Sequence, residues 1–93
     1  MPRIVEEAVR RLDELGDELG RAGWTARLQA EPGRAPCLHV QHHATAPAEH
    51  VYAAPRDADG AIWFWWSWAE PIAQDTAQAA EMITRALRPS PEF

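Results

Sequence analysis

Residues 61–69 read AIWFWWSWA, and the fold follows from how that run divides between two faces. Four of the chain's five tryptophans, Trp63, Trp65, Trp66 and Trp68, fall within six residues. Side chains alternate along an extended strand, so Ile62, Phe64, Trp66 and Trp68 share one face while Trp63, Trp65 and Ser67 share the other. A strand with one covered face needs large apolar groups on that face only. The first set suffices for a core. Trp63 and Trp65 are surplus to it.

Upstream, PRDADG (residues 55–60) has the Asp-rich, Gly-ended composition of a hairpin loop, with Asp57 and Asp59 as turn residues. It joins the tryptophan strand to EHVYAA, residues 49–54. Pairing Ala54 with Ala61 sets Tyr52 opposite Trp63 and His50 opposite Trp65 on one face. The same register sets Val51 opposite Phe64 and Glu49 opposite Trp66 on the other.

Two earlier segments alternate in the same way. WTARLQ (24–29) points Trp24, Ala26 and Leu28 one way, and CLHVQH (37–42) does so with Leu38 and Val40. AEPGRAP turns the chain between them through Pro32 and Gly33. The inner layer expected from these strands is Trp24, Ala26, Leu28, Leu38, Val40, Val51, Ile62, Phe64, Trp66 and Trp68. The outer face is expected to carry Arg27, His39, His50, Tyr52, Trp63 and Trp65, with Cys37 among them.

Helices flank the strands. Ile4, Ala8, Leu12, Leu15 and Leu19 recur at spacings of four and three, which predicts a helix over 3–22. Its other face is charged, with Glu6–Arg10 and Glu7–Arg11 at the favourable acid-first spacing. Gly16 and Gly20 weaken its last turns, and Gly23 is the expected stop. After Pro71 a second helix is predicted, with Asp75 and Gln78 in the places of a capping box and Ala79, Ala80, Ile83 and Leu87 as its apolar stripe. Pro89 and Pro91 end it, and residues 89–93 are expected to be flexible. The predicted fold is one α+β domain over 1–93 in two layers: N-terminal helix, four-stranded antiparallel meander, C-terminal helix.

Composition excludes several functions. Ninety-three residues, 46% apolar and 25% charged, allow one modest globular core. The formal charge is −5 and is spread along the chain, so no basic patch exists to release counterions from a nucleic acid. No apolar run approaches the ~20 residues of a membrane span, and the charged first helix has no export-signal core. The single cysteine, Cys37, excludes an internal disulfide and fits a reducing cytoplasm.

Catalysis and metal binding find no supporting pattern. His39, His42, His43 and His50 cluster within twelve residues, but an extended strand points His39 and His42 to opposite faces, and two ligands do not close a site. Ser67 lacks a nucleophile-elbow pattern, and Glu49 and Glu70 read as solvated strand-end carboxylates. No cofactor or metal is expected.

The stretch HVYAAPRDADGAIWFWWSWAEPI, residues 50–72, resembles a segment recurring in small actinobacterial proteins to which no chemistry is assigned. Some of those are encoded beside helix-turn-helix regulators. The resemblance covers about a quarter of the chain, implies a regulatory partner and carries over no site residue.

Surplus aromatics on a sheet have three explanations: packing across strands with Tyr52 and His50, cover by a helix or by the loop at 42–49, or an interface, where Trp and Tyr are enriched as anchors. The expectation is a small non-enzymatic interaction module. Its candidate face is Trp63, Trp65, Tyr52, His50, His39 and Arg27, used for homodimerisation or for a protein partner. The alternative is a small-molecule site with those aromatics as a stacking platform.

Overall fold

A computed structural model describes residues 2–42, 48–56 and 60–87. His43, Asp57, Asp59, most of the 42–49 loop and residues 89–93 lie outside the described residues, as does the side chain of Ile4. The elements run α1 (Pro2–Arg21), β1 (Thr25–Gln29), β2 (Cys37–Gln41), β3 (Ala48–Pro55), β4 (Ile62–Trp66), β5 (Pro71–Ala73) and α2 (Thr76–Leu87). The class is α+β, with a five-stranded antiparallel sheet in the order β1-β2-β3-β4-β5.

The sheet has five strands rather than the expected four. Residues 71–73 fall where the sequence predicts only the second helix, because three residues cannot show alternation and the first is proline. Proline is tolerated at the first position of an edge strand, where no partner needs its N–H. A tight turn delivers this strand: Trp66 N–H donates to the Glu70 carbonyl at 2.9 Å and Ala69 N–H to the Trp66 carbonyl at 3.0 Å. Ala69 takes a left-handed φ of 69° there. Pairing with β4 runs Phe64 to Ala73 and Trp65 to Pro71, with an irregularity between. Five-residue β1 forms the opposite edge, and most of its side chains are exposed.

Both helices cover the same face. α1 packs on β1, β2 and β3 and against α2, while α2 packs on β5. Ala8, Leu12, Leu15 and Leu19 of α1 meet Leu38, Val40, Val51, Ala53, Phe64 and Trp66 of the sheet, and Ala79 and Ile83 of α2 complete the core. Ile72 and Ala73 are buried too, so β5 extends the floor on which α2 rests. Two side chains expected in this layer lie outside it. Leu28 is 38% exposed near the end of edge strand β1, and Trp68 is 55% exposed because the turn after Trp66 breaks the alternation that placed it inward. Trp68 stacks flat on Trp66 instead, with ring centroids 5.1 Å apart. Among the described residues no helix is long and apolar enough to cross a membrane.

The end of α1 is a Schellman motif. Trp24 N–H donates to the Leu19 carbonyl and Gly23 N–H to the Gly20 carbonyl, each at 3.0 Å. Gly23 holds φ 91°, and Leu19 and Trp24, the apolar pair that accompanies this motif, are both buried. A Cβ at Gly23 would meet no atom within 4 Å, so the cost of Gly23→Ala is the left-handed backbone alone, about 1 kcal/mol. Gly20 also has nothing within 4 Å but no positive φ, so Gly20→Ala should stabilise by roughly 0.5–1 kcal/mol. Opposite shifts of the two thermal midpoints would verify this; a common sign would refute it.

The helix charges pair differently from expectation. Arg10 bridges Glu7 at 2.6 Å and Glu14 at 3.1 Å. Arg11 is drawn under the helix, where it donates to the Gln74 carbonyl and lies 5.2 Å from the Phe64 ring centre. At the start of α2, Gln78 N–H donates to the Asp75 carboxylate at 3.0 Å, the N-cap half of the predicted box.

Candidate functional site

Both helices lie on one side of the sheet, and among the described residues no element packs across the other side. On that other side Cys37 is buried, and His39, His50, Tyr52, Trp63 and Trp65 are half-buried. Pairing sets its rows. Arg27 lies opposite His39 and His39 opposite His50; Gln29, Cys37, Tyr52 and Trp65 form the next row, and Ala54 faces Trp63 beyond it. All six candidate residues, Arg27, His39, His50, Tyr52, Trp63 and Trp65, therefore share this outward face.

The β3–β4 register differs from expectation by two residues. Tyr52 pairs with Trp65 rather than Trp63, and Val51 with Trp66 rather than Phe64. The hairpin closes through Arg56 N–H to the Ala61 carbonyl at 2.8 Å and Gly60 N–H to the Arg56 carbonyl at 2.7 Å, bonds that no side-chain pattern reveals. A slip of two leaves every side chain on its own face, because the period along a strand is two.

The aromatic half is ordered by local contacts. Trp65 Nε1 donates to the Ala54 carbonyl at 3.0 Å, which holds the indole against β3. The Arg56 guanidinium sits 4.5 Å from the Trp63 ring centre, a contact that sequence reasoning missed because it depends on where the hairpin closes. Trp63 Nε1 is buried and finds no acceptor among the described residues. In the other half His39 and His50 meet edge to face, with centroids 5.1 Å apart.

Tyr52 stands between two hollows. One, about 610 Å³, is lined by Gln29, Cys37, His50 and Tyr52 together with the β1–β2 loop. The other, about 230 Å³, is lined by Tyr52, Ala54, Trp65 and Ser67. A larger groove of about 810 Å³ lies between α1, α2 and β5, and Trp63 also borders it. Among its charges Arg10 pairs with Glu14 and Arg85 with Glu81, while Arg11 and Asp75 bond to backbone groups.

Cys37 faces outward but is buried, and its Sγ lies 3.5 Å from Gln29 Oε1. Burial pushes the thiol pKa up; a hydrogen bond with Tyr52 opposes that, and the nearby Glu31 charge adds to it. A thiol whose folded pKa is raised contributes stability that is complete below its unfolded value, about 8.5, and lost as pH rises through the folded value. Urea unfolding should therefore show stability falling faster above about pH 8.5 in the parent than in Cys37→Ser. Equal slopes would show that the thiol is not responsible.

Among the described residues no three His, Cys, Asp or Glu side chains converge in a way that could hold a metal. The carboxylates flanking the aromatics are separately engaged. Glu49 accepts from Ser67 Oγ at 3.3 Å, and Glu70 accepts from Trp68 Nε1 at 2.9 Å. No family model, curated protein or solved structure matches the chain.

Proposed function

We propose that this chain is a small non-catalytic interaction module that binds protein, a second copy or a different partner, through the face of its sheet opposite the helices. One observation carries the reading: both helices lie on the opposite face, while the open one bears Trp63, Trp65 and Tyr52 beside Arg27, His39 and His50. Aromatic and Arg side chains are the ones enriched at interface anchors. The resemblance of residues 50–72 to segments encoded beside helix-turn-helix regulators favours a regulatory protein as partner. The lone thiol accords with a cytoplasmic setting.

Gel filtration of an extract containing the chain tests this. The chain should elute above its monomer mass, and Trp63→Ala with Trp65→Ala should return it to monomer while still unfolding cooperatively. Elution as monomer in both cases, or a double variant that is unfolded, would remove the reading.

The hollow beside Cys37, His50 and Tyr52 falls within the roughly 300–1,000 Å³ of small-ligand sites and supports a second reading, a flat molecule stacked on the aromatics. That reading expects quenching of tryptophan fluorescence by the ligand at unchanged protein mass.

A further inference from the structure

We infer that two copies of this chain associate edge to edge through β1, antiparallel about a two-fold axis that stands perpendicular to the sheet at Leu28. The surface is not the sheet face of the preceding reading, and the inference does not rest on that reading.

Among the described residues nothing pairs with the outer side of β1. The two edges of the sheet are built differently. β5 has three residues, begins with Pro71 and pairs irregularly, whereas β1 keeps register with β2 over all five of its residues. Edges kept from pairing carry proline, bulges or inward-pointing charges, and β1 has none of these. Its inward residues are Ala26 and Leu28, and Leu28 is left 38% exposed.

The flank of α1 above this edge is also without a neighbour. At about 100° per residue, Val5, Val9, Gly16 and Gly20 fall within about 60° of one another on the helix. Gly16 faces Ala26 of β1 and Leu38 of β2, and Val5 borders a hollow with the β1–β2 loop, so this flank looks toward β1. The opposite flank, with Arg10, Arg11 and Glu14, borders the groove shared with α2. Val5 is exposed, and nothing stands within 4 Å of a Cβ at Gly20.

A second copy meets both surfaces with one operation. An axis perpendicular to the sheet makes the two β1 strands antiparallel and keeps the helices of both copies on one side. Strands lie about 4.8 Å apart, and Gly16 stands between β1 and β2, half a spacing inside the edge. The two α1 axes are then about 10 Å apart across the seam, at the upper end of the 8–10 Å at which helices pack. They run antiparallel, and Gly20 of each comes against Val9 of the other. An extended peptide from a different protein would add a strand but no helix, and would leave this flank in water.

Side chains choose the register. Centring the pair on Arg27 opposes two guanidinium groups, which like charge disfavours. Centring it on Ala26 brings Gln29 to Gly23, whose left-handed backbone turns the chain out of the strand. Centring it on Leu28 lays the exposed leucines together and sets Arg27 opposite Gln29. Glu31, whose own ion pair with Arg34 is long at 3.8 Å, then lies diagonal to Arg27 of the other copy. The exposed Asp13 of each helix borders the same gap, and that repulsion keeps the dimer weak.

Light scattering on the purified chain from about 5 to about 500 µM should show mass rising from one copy toward two. Gly20→Gln should raise the thermal midpoint, because the site is open in the single copy, and weaken dimerisation at least about tenfold. In a Cys37→Ser background, Leu28→Cys lies at the axis and should be joined to its own copy by a bis-maleimide of about 8 Å span. Thr25→Cys, roughly 20 Å from its own copy, should not. Trp63→Ala with Trp65→Ala should dimerise as the parent does; loss of the dimer there with the fold intact would put the second copy on the sheet face and overturn the inference. A single-copy mass throughout, indifference to Gly20→Gln, or cross-linking of Thr25→Cys to itself also overturns it. A single-copy mass leaves the complex in extract untouched, since the chain is too dilute there to pair through β1, so the two readings fail separately.

Discussion

Phe64→Ala is expected to cost roughly 3–5 kcal/mol, the largest loss of any single truncation considered for this chain. Phe64 is 0% exposed in the middle of β4, and its neighbours across the strands on either side are Ala53 and Ala73. Two alanines cannot swing into the space a phenyl ring vacates, so the cavity persists, and the guanidinium of Arg11 loses the ring beside it. For a domain of this size 1 kcal/mol moves the midpoint by roughly 4–8 °C, so a fall of about 15 °C or more should be seen in thermal unfolding. Trp65→Ala, one position along and facing the other way, should cost only roughly 1–2 kcal/mol despite removing more atoms. Similar losses for the two variants would mean that the outer tryptophan belongs to the core, and the interaction reading would fall with that result.

Gly16→Leu is the second large expected effect. Gly16 lies where α1 rests on the sheet. An added Cβ would stand 3.4 Å from Leu38 Cδ1 and 3.7 Å from Ala26 Cβ, so one carbon fits as an ordinary contact and no more. The further atoms of leucine would have to displace Leu38, which is almost wholly buried, or lift the helix from β1 and β2. Overpacking of this kind costs about 1–3 kcal/mol and can exceed it. Gly16→Ala keeps the single carbon and gains helix propensity, so it should be neutral or stabilising by up to about 1 kcal/mol. Urea midpoints for the pair would decide. If leucine is tolerated as well as alanine, α1 sits further from the sheet than described.

Much of this fold was legible because two periods dominate it. The spacing of Ala8, Leu12, Leu15 and Leu19 gives a stripe that is buried along its length, and the alternation in β1 to β4 assigns the outward face correctly even where the register slips. Four things were not legible, each for a physical reason. β5 is too short for a pattern and begins with the residue least expected in a sheet. The β3–β4 register is fixed by backbone bonds at Arg56, Gly60 and Ala61, which leave no trace in side-chain type. Trp68 continues the alternation in sequence but not in space, since the turn at Ser67 and Ala69 carries it past the helices. The side on which α1 packs also lay beyond the sequence, because an apolar stripe says that a helix face is buried and not which sheet face buries it. That placement makes the six candidate residues a shared outer surface.

The unlike edges of the sheet bear on polymerisation. Edge strand β1 presents a five-residue row of backbone donors and acceptors to solvent, whereas β5 presents three residues that begin with Pro71 and pair irregularly with β4. Fibril growth by strand addition needs two edges that can each accept a neighbour, so that every new subunit regenerates a free end. Here one edge is receptive and the other is blunted. Two copies meeting through β1 would consume both receptive edges at once, leaving only proline-bearing ends. Linear growth through the native sheet would therefore terminate after a single step.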